Sequence, residues 1–209
     1  MDSLNTISPI TSVIPSEPSD TSDTSDTSDT SDATEAINSI DDLIKTLNNI
    51  SKKNIANCFK NIEIPIEDFK KFASWKNDGY TRNCLSRTDN LELILLCWPS
   101  GISSPIHGHD NQECWVYLVD GKLEEKRYSE EDSKELVKTN HMHLSPGQLT
   151  YMDDKMGFHI IENNSNERAM TLHLYMNPID KCKVFNESDK KFETKEMTYD
   201  TVKNTNKNL

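Results

Sequence analysis

A change of hydrophobic period at Gly79 constrains this chain more than any other feature. Before it, Ile37, Ile40, Leu43, Ile44, Leu47 and Ile50 recur at helical spacing and form one apolar stripe. Asn54–Lys60 and Pro65–Ala73 read as two shorter helical turns, with Pro65 suited to a first helical position because its missing N–H would have no partner there. After Gly79 the period becomes two. Strands are expected at Tyr80–Ser86, Leu91–Trp98, Cys114–Val119, Lys122–Tyr128, Leu136–Leu144, Gln148–Met152, Phe158–Glu162, Ala169–Met176, Lys183–Phe185 and Phe192–Val202. Asp120-Gly121, Pro146-Gly147 and Asn163-Asn164-Ser165 supply turns between them. Strands and helices do not alternate and no Gly-rich phosphate loop follows a strand, which excludes a dinucleotide-binding or P-loop fold. The expected architecture is mainly β, an antiparallel sandwich or small barrel behind a short helical N-terminal section.

The first 33 residues stand apart. Residues 21–32 repeat Thr-Ser-Asp four times without an apolar side chain, so this stretch cannot bury enough surface to offset the entropy of ordering. A disordered acidic tail over 1–33, a folded domain over 34–203 and a flexible terminus over 204–209 are expected. Of the net charge of −12, residues 1–50 carry −9, so the acidity belongs mainly to the tail. No basic patch with interleaved aromatics suggests nucleic-acid binding. The longest apolar run is six residues, against the roughly 18 needed to cross a bilayer, and no export signal opens the chain. Cysteines 58, 84, 97, 114 and 182 form an odd set without CxxC spacing, which reads as reduced thiols in a cytoplasmic protein. A monomer is expected.

Chemistry concentrates in Gly101–Cys114, which holds His107-Gly108-His109 between two apolar runs. Two imidazoles two residues apart on extended chain point the same way, with Cα atoms about 6.5 Å apart, so both can converge on one metal ion. A second pair, His141-Met142-His143, lies in a polar strand beside the Ser145-Pro146-Gly147 turn and reads as an exposed strand end. His159 follows Gly157-Phe158 at a strand start.

An upstream His-x-His with a downstream strand-start histidine resembles the two-motif layout of the cupin superfamily. Gly101, His107, His109 and Gly121 fit the first motif, Gly-x5-His-x-His-x3-4-Glu-x6-Gly. Counting six residues back from Gly121 puts Cys114, not Glu113, at the glutamate position. Strand alternation agrees, since Cys114 shares a face with Val116 and Leu118. The second motif is less faithful, keeping Gly157 but lacking the usual Pro-x-Gly.

A cupin with three histidines and this cysteine resembles the cysteine dioxygenase family. The resemblance runs from about Thr34 to Val202. It rests on Tyr80-Thr81-Arg82, Cys97-Trp98, Ser104-Pro105-Ile106-His107-Gly108-His109, Cys114, Gly157-Phe158-His159 and Leu172-His173-Leu174-Tyr175 in order, with Cys182 also in place. Thr171 stands where serine is common, and Met176-Asn177-Pro178 replaces a Ser-Pro-Pro turn. The resemblance implies Fe(II) held by His107, His109 and His159, and oxidation of L-cysteine by O2 to cysteine sulfinic acid in cysteine catabolism. It further implies Arg82 and Tyr80 as substrate-binding residues, and Cys114, His173 and Tyr175 as catalytic residues. Cys114 and Tyr175 would be joined as a thioether cofactor. Three neutral imidazoles leave open coordination positions, as in the two-His-one-carboxylate iron sites. Arg82 can grip a carboxylate with its planar fork. A Thr171–His173–Tyr175 hydrogen-bond relay could orient the phenol. Dioxygenation of another thiol, such as 3-mercaptopropionate or cysteamine, and a non-catalytic metal-binding cupin are the rival readings.

Overall fold

The computed structural model describes residues 35–131 and 135–203; the expected acidic tail and the 204–209 terminus lie outside the described residues. Among the described residues, three short α-helices come first: α1 (Ile40–Leu47), α2 (Ile55–Lys60) and α3 (Ile66–Lys70). The Ser39 side chain caps α1 by accepting from the Asp42 N–H at 3.1 Å. Asp41 and Asp42 in the first turn and Lys45 in the last complement the helix dipole. The helical stripe is shorter than its apolar pattern, because Ile37 instead bridges to Ile62 as a short parallel pair. Pro65 is one residue earlier than expected. With ψ at 140° it is extended and caps α3 from outside.

Eleven strands follow: β1 (Thr81–Arg87), β2 (Leu91–Trp98), β3 (Glu113–Asp120), β4 (Leu123–Glu130), β5 (Leu136–Leu144), β6 (Leu149–Met152), β7 (Phe158–Glu162), β8 (Ala169–Met176), β9 (Lys181–Asn186), β10 (Lys191–Glu196) and β11 (Thr201–Val202). They form a six-stranded sheet in the order β11-β1-β2-β8-β3-β6, a three-stranded sheet β5-β4-β7, and the hairpin β9-β10. Every pairing between strands is antiparallel except β1 with β11. The fold is mainly β, two facing sheets that close as a small barrel with a short helical section before it, as the sequence led us to expect.

The final expected strand, Phe192–Val202, is divided. At Met197 the chain leaves the hairpin, its N–H donating to the Asp180 carbonyl at 2.8 Å. By Asp200 it has joined the edge of the large sheet, where the Asp200 carboxylate accepts from the Arg82 backbone N–H at 2.8 Å.

The large sheet is buried on both faces, which explains why β2 is buried throughout and apolar at every position but Glu92. One face, with Leu93, Leu95, Cys97, Trp115, Tyr117, Leu172 and Leu174, packs under α1–α3 through Leu43, Phe59 and Phe69. The other face turns Ile94, Leu96, Trp98, Cys114, Val116, Leu118 and Tyr175 toward Leu123, Leu144 and Ile161 of the smaller sheet. The helices therefore cover the outside of the barrel, and the interior is left for the site.

Two glycines are required by close approach. Gly157 has φ of 94°, and a Cβ there would lie 2.2 Å from the Tyr128 carbonyl oxygen. Gly121, with φ of 87°, lies against Ala169, whose Cβ would be 2.6 Å away. A Gly157→Ala substitution is expected to lower stability by about 1–3 kcal/mol or more, since it combines a left-handed φ with a backbone clash. Urea unfolding followed by circular dichroism would measure it; an unchanged midpoint would contradict the close approach.

Candidate active site and metal centre

The His107/His109 segment is not a strand. It is a loop between β2 and β3 that is pinned like one. His107 exchanges backbone hydrogen bonds with His159 of β7, at 2.9 and 3.0 Å, and also bridges to Val184 of β9. Beyond His109 the backbone turns through left-handed conformations at Asp110 and Asn111, with φ of 51° and 64°. The Asp154 carboxylate holds that turn, accepting from the His109 N–H at 2.6 Å and the Asn111 N–H at 2.7 Å. These restraints bring three imidazoles together, one ring nitrogen of each lying within 4.8 Å of the others.

Two of the three imidazoles have their tautomer fixed by a partner behind the ring. His107 Nδ1 lies 2.9 Å from the Pro105 carbonyl oxygen, and His159 Nδ1 lies 2.9 Å from Glu125 Oε1. Each partner is an acceptor, so each Nδ1 carries the proton and each Nε2 presents a lone pair. Those two Nε2 atoms are 3.2 Å apart with no proton between them. Facing lone pairs repel unless a cation lies between them. Two nitrogens each about 2.1 Å from one ion would be separated by about this distance. His109 is fully buried, and neither of its ring nitrogens has a hydrogen-bond partner in the protein. An orphaned buried imidazole is costly unless a further group satisfies it. The residues thus fit a bound metal ion. Burial, with His159 beside it, lowers the His107 pKa to about 3, and burial holds His109 well below its ordinary value. Both are neutral ligands at neutral pH.

Glu125 was not anticipated from sequence. It is fully buried, and Arg127 of the same strand face reaches it through Nε at 3.1 Å while donating from Nη2 to the Tyr151 carbonyl at 2.8 Å. Burial raises a carboxyl pKa, but the hydrogen bond from His159 and the charge of Arg127 outweigh it and hold Glu125 at about 2. The alternation Leu123, Glu125, Arg127 was the available signal, since Leu123 faces the interior.

Of the remaining expected site residues, Tyr80, Arg82, His173 and Tyr175 line a cavity of about 370 Å³ together with His107 and Cys182, and Cys114 is not in its wall. The Tyr80 ring lies on Trp98, with centroids 4.6 Å apart. Arg82 is buried; its Nε donates to the Thr198 carbonyl at 3.1 Å, and one Nη is buried without any hydrogen-bond acceptor. Behind Arg82 is a second unanticipated carboxylate, Glu92, fully buried, 3.9 Å from Arg82 and 3.0 Å from Arg87. The Tyr199 hydroxyl also bonds Glu92, tying the crossing segment to this end of the barrel.

Cys114 faces Tyr175 directly across the β3–β8 pair. His173 lies between them and Thr171, with Nδ1 3.5 Å from the Tyr175 hydroxyl and 3.8 Å from Cys114 Sγ, and Nε2 3.1 Å from Thr171 Oγ1. Trp98 Nε1 donates to that Thr171 oxygen at 2.9 Å. Burial raises both the Cys114 thiol and the Tyr175 phenol above their ordinary pKa values and keeps His173 neutral. Glu113 is on the opposite face, paired with Lys52. His141 and His143 lie on the outer side of β5 with Glu124, away from this centre. At Met176-Asn177-Pro178 the peptides are trans and Asn177 is left-handed, with φ of 70°.

A model of the family cysteine dioxygenase type I matches residues 23–188. The chain belongs to that family. Cysteine dioxygenase type 1 of Danio rerio is 31% identical over 170 residues, covering 76% of this chain and 85% of the relative. The human protein of the same name is 35% identical over 124 residues, covering 57% of this chain and 62% of the relative. Among solved structures, a conserved protein with a double-stranded β-helix domain from Klebsiella pneumoniae overlaps at a TM-score of 0.44 and 13% identity, over 61% of this chain and 94% of that one. Membership makes the chain one of an enzyme family.

The Glu125–His159 contact gives a test of the centre. Glu125→Gln keeps the shape but removes the charge that fixes His159, and is expected to weaken metal retention by about 10–100-fold. Equilibrium dialysis followed by elemental analysis would read it, and retention equal to that of the parent protein would show that the contact does not orient His159.

Proposed function

We propose that this protein is an Fe(II)-dependent thiol dioxygenase that adds both atoms of O2 to the sulfur of L-cysteine, giving cysteine sulfinic acid. The observation that carries this reading is a charge arrangement within one site. A three-imidazole group with no carboxylate among its members has one ring, His107, in the wall of a cavity that also holds Arg82, one Nη of which makes no hydrogen bond. A neutral ligand set suits an anionic thiolate, and the Arg82 guanidinium in the cavity wall suits a carboxylate. L-cysteine supplies both on one small skeleton.

His107, His109 and His159 would hold the iron. When bound, ferrous iron supplies the redox chemistry that brings the thiolate sulfur and dioxygen together. Arg82 takes the substrate carboxylate through its guanidinium, and Tyr80 borders the same cavity. The Trp98 indole donates to Thr171, leaving the threonine hydroxyl hydrogen to donate to His173 Nε2. His173 Nδ1–H then points at the Tyr175 oxygen, keeping the phenol where it can hydrogen-bond the reacting sulfur side of the substrate. The cavity is lined by Trp98, Leu96 and Ile161 as well, and these apolar walls limit water around the reacting atoms.

The Cys114–Tyr175 pairing supports a thioether between them, formed by oxidative loss of one hydrogen from each with dioxygen as the oxidant. Both side chains are buried on one interior face and are direct cross-strand partners.

Iron-loaded protein prepared anaerobically is expected to consume oxygen with cysteine and yield the sulfinic acid, measured by an oxygen electrode and mass spectrometry. No uptake by a fully loaded sample would sink the proposal. In Arg82→Ala, kcat/KM for cysteine is expected to fall about 10–150-fold, the loss of a charge-assisted hydrogen bond, while iron content stays constant. Cysteamine, which lacks a carboxylate, should be unaffected by that change. An equal loss for both substrates would remove Arg82 from the carboxylate role. After turnover, intact mass should show two hydrogens missing from the parent chain and none missing from Cys114→Ser.

A further inference from the structure

The second His-x-His segment takes no part in the site described above, yet the sheet gives it a third ligand. Along β5, His141 and His143 share one face, and β4 places Glu124 directly opposite His143. His141 Nε2 is 2.9 Å from one Glu124 oxygen, and His143 Nδ1 is 3.8 Å from the other. One carboxylate therefore lies between two imidazoles, each facing a different oxygen. One ligand atom from each residue lies within 4.8 Å of the other two.

An ordinary surface ion pair needs only one imidazole and contributes little in water. A second imidazole on the same carboxylate is a denser arrangement of donors than that role requires. The side chains are solvated rather than core, at 35% exposure for His141, 75% for His143 and 23% for Glu124. Asn164 hydrogen-bonds the Glu124 carboxylate from the neighbouring turn and helps orient it. Beside the group is a surface cavity of about 220 Å³ bordered by Lys122, Glu124, His143, Ser145 and Asn164. Two imidazole nitrogens and a carboxylate oxygen on paired strands match the donor set of a divalent transition-metal ion with open positions for water.

We propose that Glu124, His141 and His143 form an outer binding site for a divalent transition-metal ion of the zinc class, clamping β4 to β5. The clamp would act on a strand with a second duty. Glu125, the next residue, points to the opposite face of β4 and holds His159. An ion outside the sheet thus fixes the strand that orients the inner centre. The donor geometry stands independently of the proposed cysteine chemistry.

The test uses the full iron-loaded chain under anaerobic conditions, dialysed against zinc chloride at neutral pH, with zinc and iron counted per chain. One zinc is expected to bind without loss of iron. In His141→Asn, His143→Asn and Glu124→Gln its dissociation constant should weaken by about tenfold or more. Oxygen uptake and iron content of the zinc-free variants should equal those of the parent protein, because these side chains face solvent. Zinc that binds only by displacing iron, or binds the three variants as tightly as the parent, would overturn the proposal. If cysteine turnover were absent in the parent while the outer zinc still bound, the functional proposal would fail and the outer site would stand.

Discussion

The pairing of β8 with β2 on one side and β3 on the other constrains everything at the centre of this protein. Every residue of β8 from Ala169 to Met176 has a partner on β2, and the run from Met170 to Met176 also faces β3. Met170, Leu172 and Leu174 lie in the outer apolar core beneath the helices, and Thr171, His173 and Tyr175 point inward. A slip of one residue would bury the polar set under the helices and turn the leucines into the cavity. The apolar core on the outside thereby fixes the position of polar groups on the inside. Those groups need partners once desolvated, and the Trp98–Thr171–His173–Tyr175 series supplies them.

Charge inside the barrel is handled by the same economy of position. Among the described residues, the fully buried carboxylates are Glu92 and Glu125, and arginine meets both. Glu125 stands behind His159 rather than beside it, so it acts on the ring through Nδ1 and leaves Nε2 for the metal position. Glu92 stands behind Arg82 and is shared with Arg87. Arg87 also pairs with Asp180 at 2.6 Å, so the two arginines meet two carboxylates. The polarity runs across the site: a neutral nitrogen cluster on one side and the Arg82 guanidinium on the other.

Most strands were legible because their alternation is local. Leu91–Trp98, Leu136–Leu144, Phe158–Glu162 and Ala169–Met176 begin and end where the pattern placed them. The misplacements share a physical cause, since each depends on contacts with residues distant in sequence. The break at Met197 follows from its bond to Asp180, and the extended form of the His107 segment comes from β7 and β9. Glu125 and Arg127 gave no site signal because charged residues seldom face inward without a partner, and the partner, His159, lies 34 positions away. The histidine pair, the Cys114 register and the Tyr80/Arg82 spacing were visible because each is a short-range pattern. That Tyr80, Arg82 and Tyr175 share one cavity depends instead on the β1-β2-β8 order, which no local pattern encodes.

The chain contains the same His-x-His spacing twice, and the spacing alone does not decide what each pair does. At His109 the ring is withdrawn from water with nothing in the protein to satisfy it, so an empty inner centre carries an uncompensated polar cost. At His143 water can satisfy the ring, so the outer group loses nothing when empty. Burial therefore separates an imidazole left unsatisfied by the protein from an outer pair that water can satisfy. β4 presents one carboxylate to each centre, Glu124 outward and Glu125 inward, and a single peptide bond joins them. A backbone shift of β4 at this point carries both carboxylates with it, because they belong to adjacent residues.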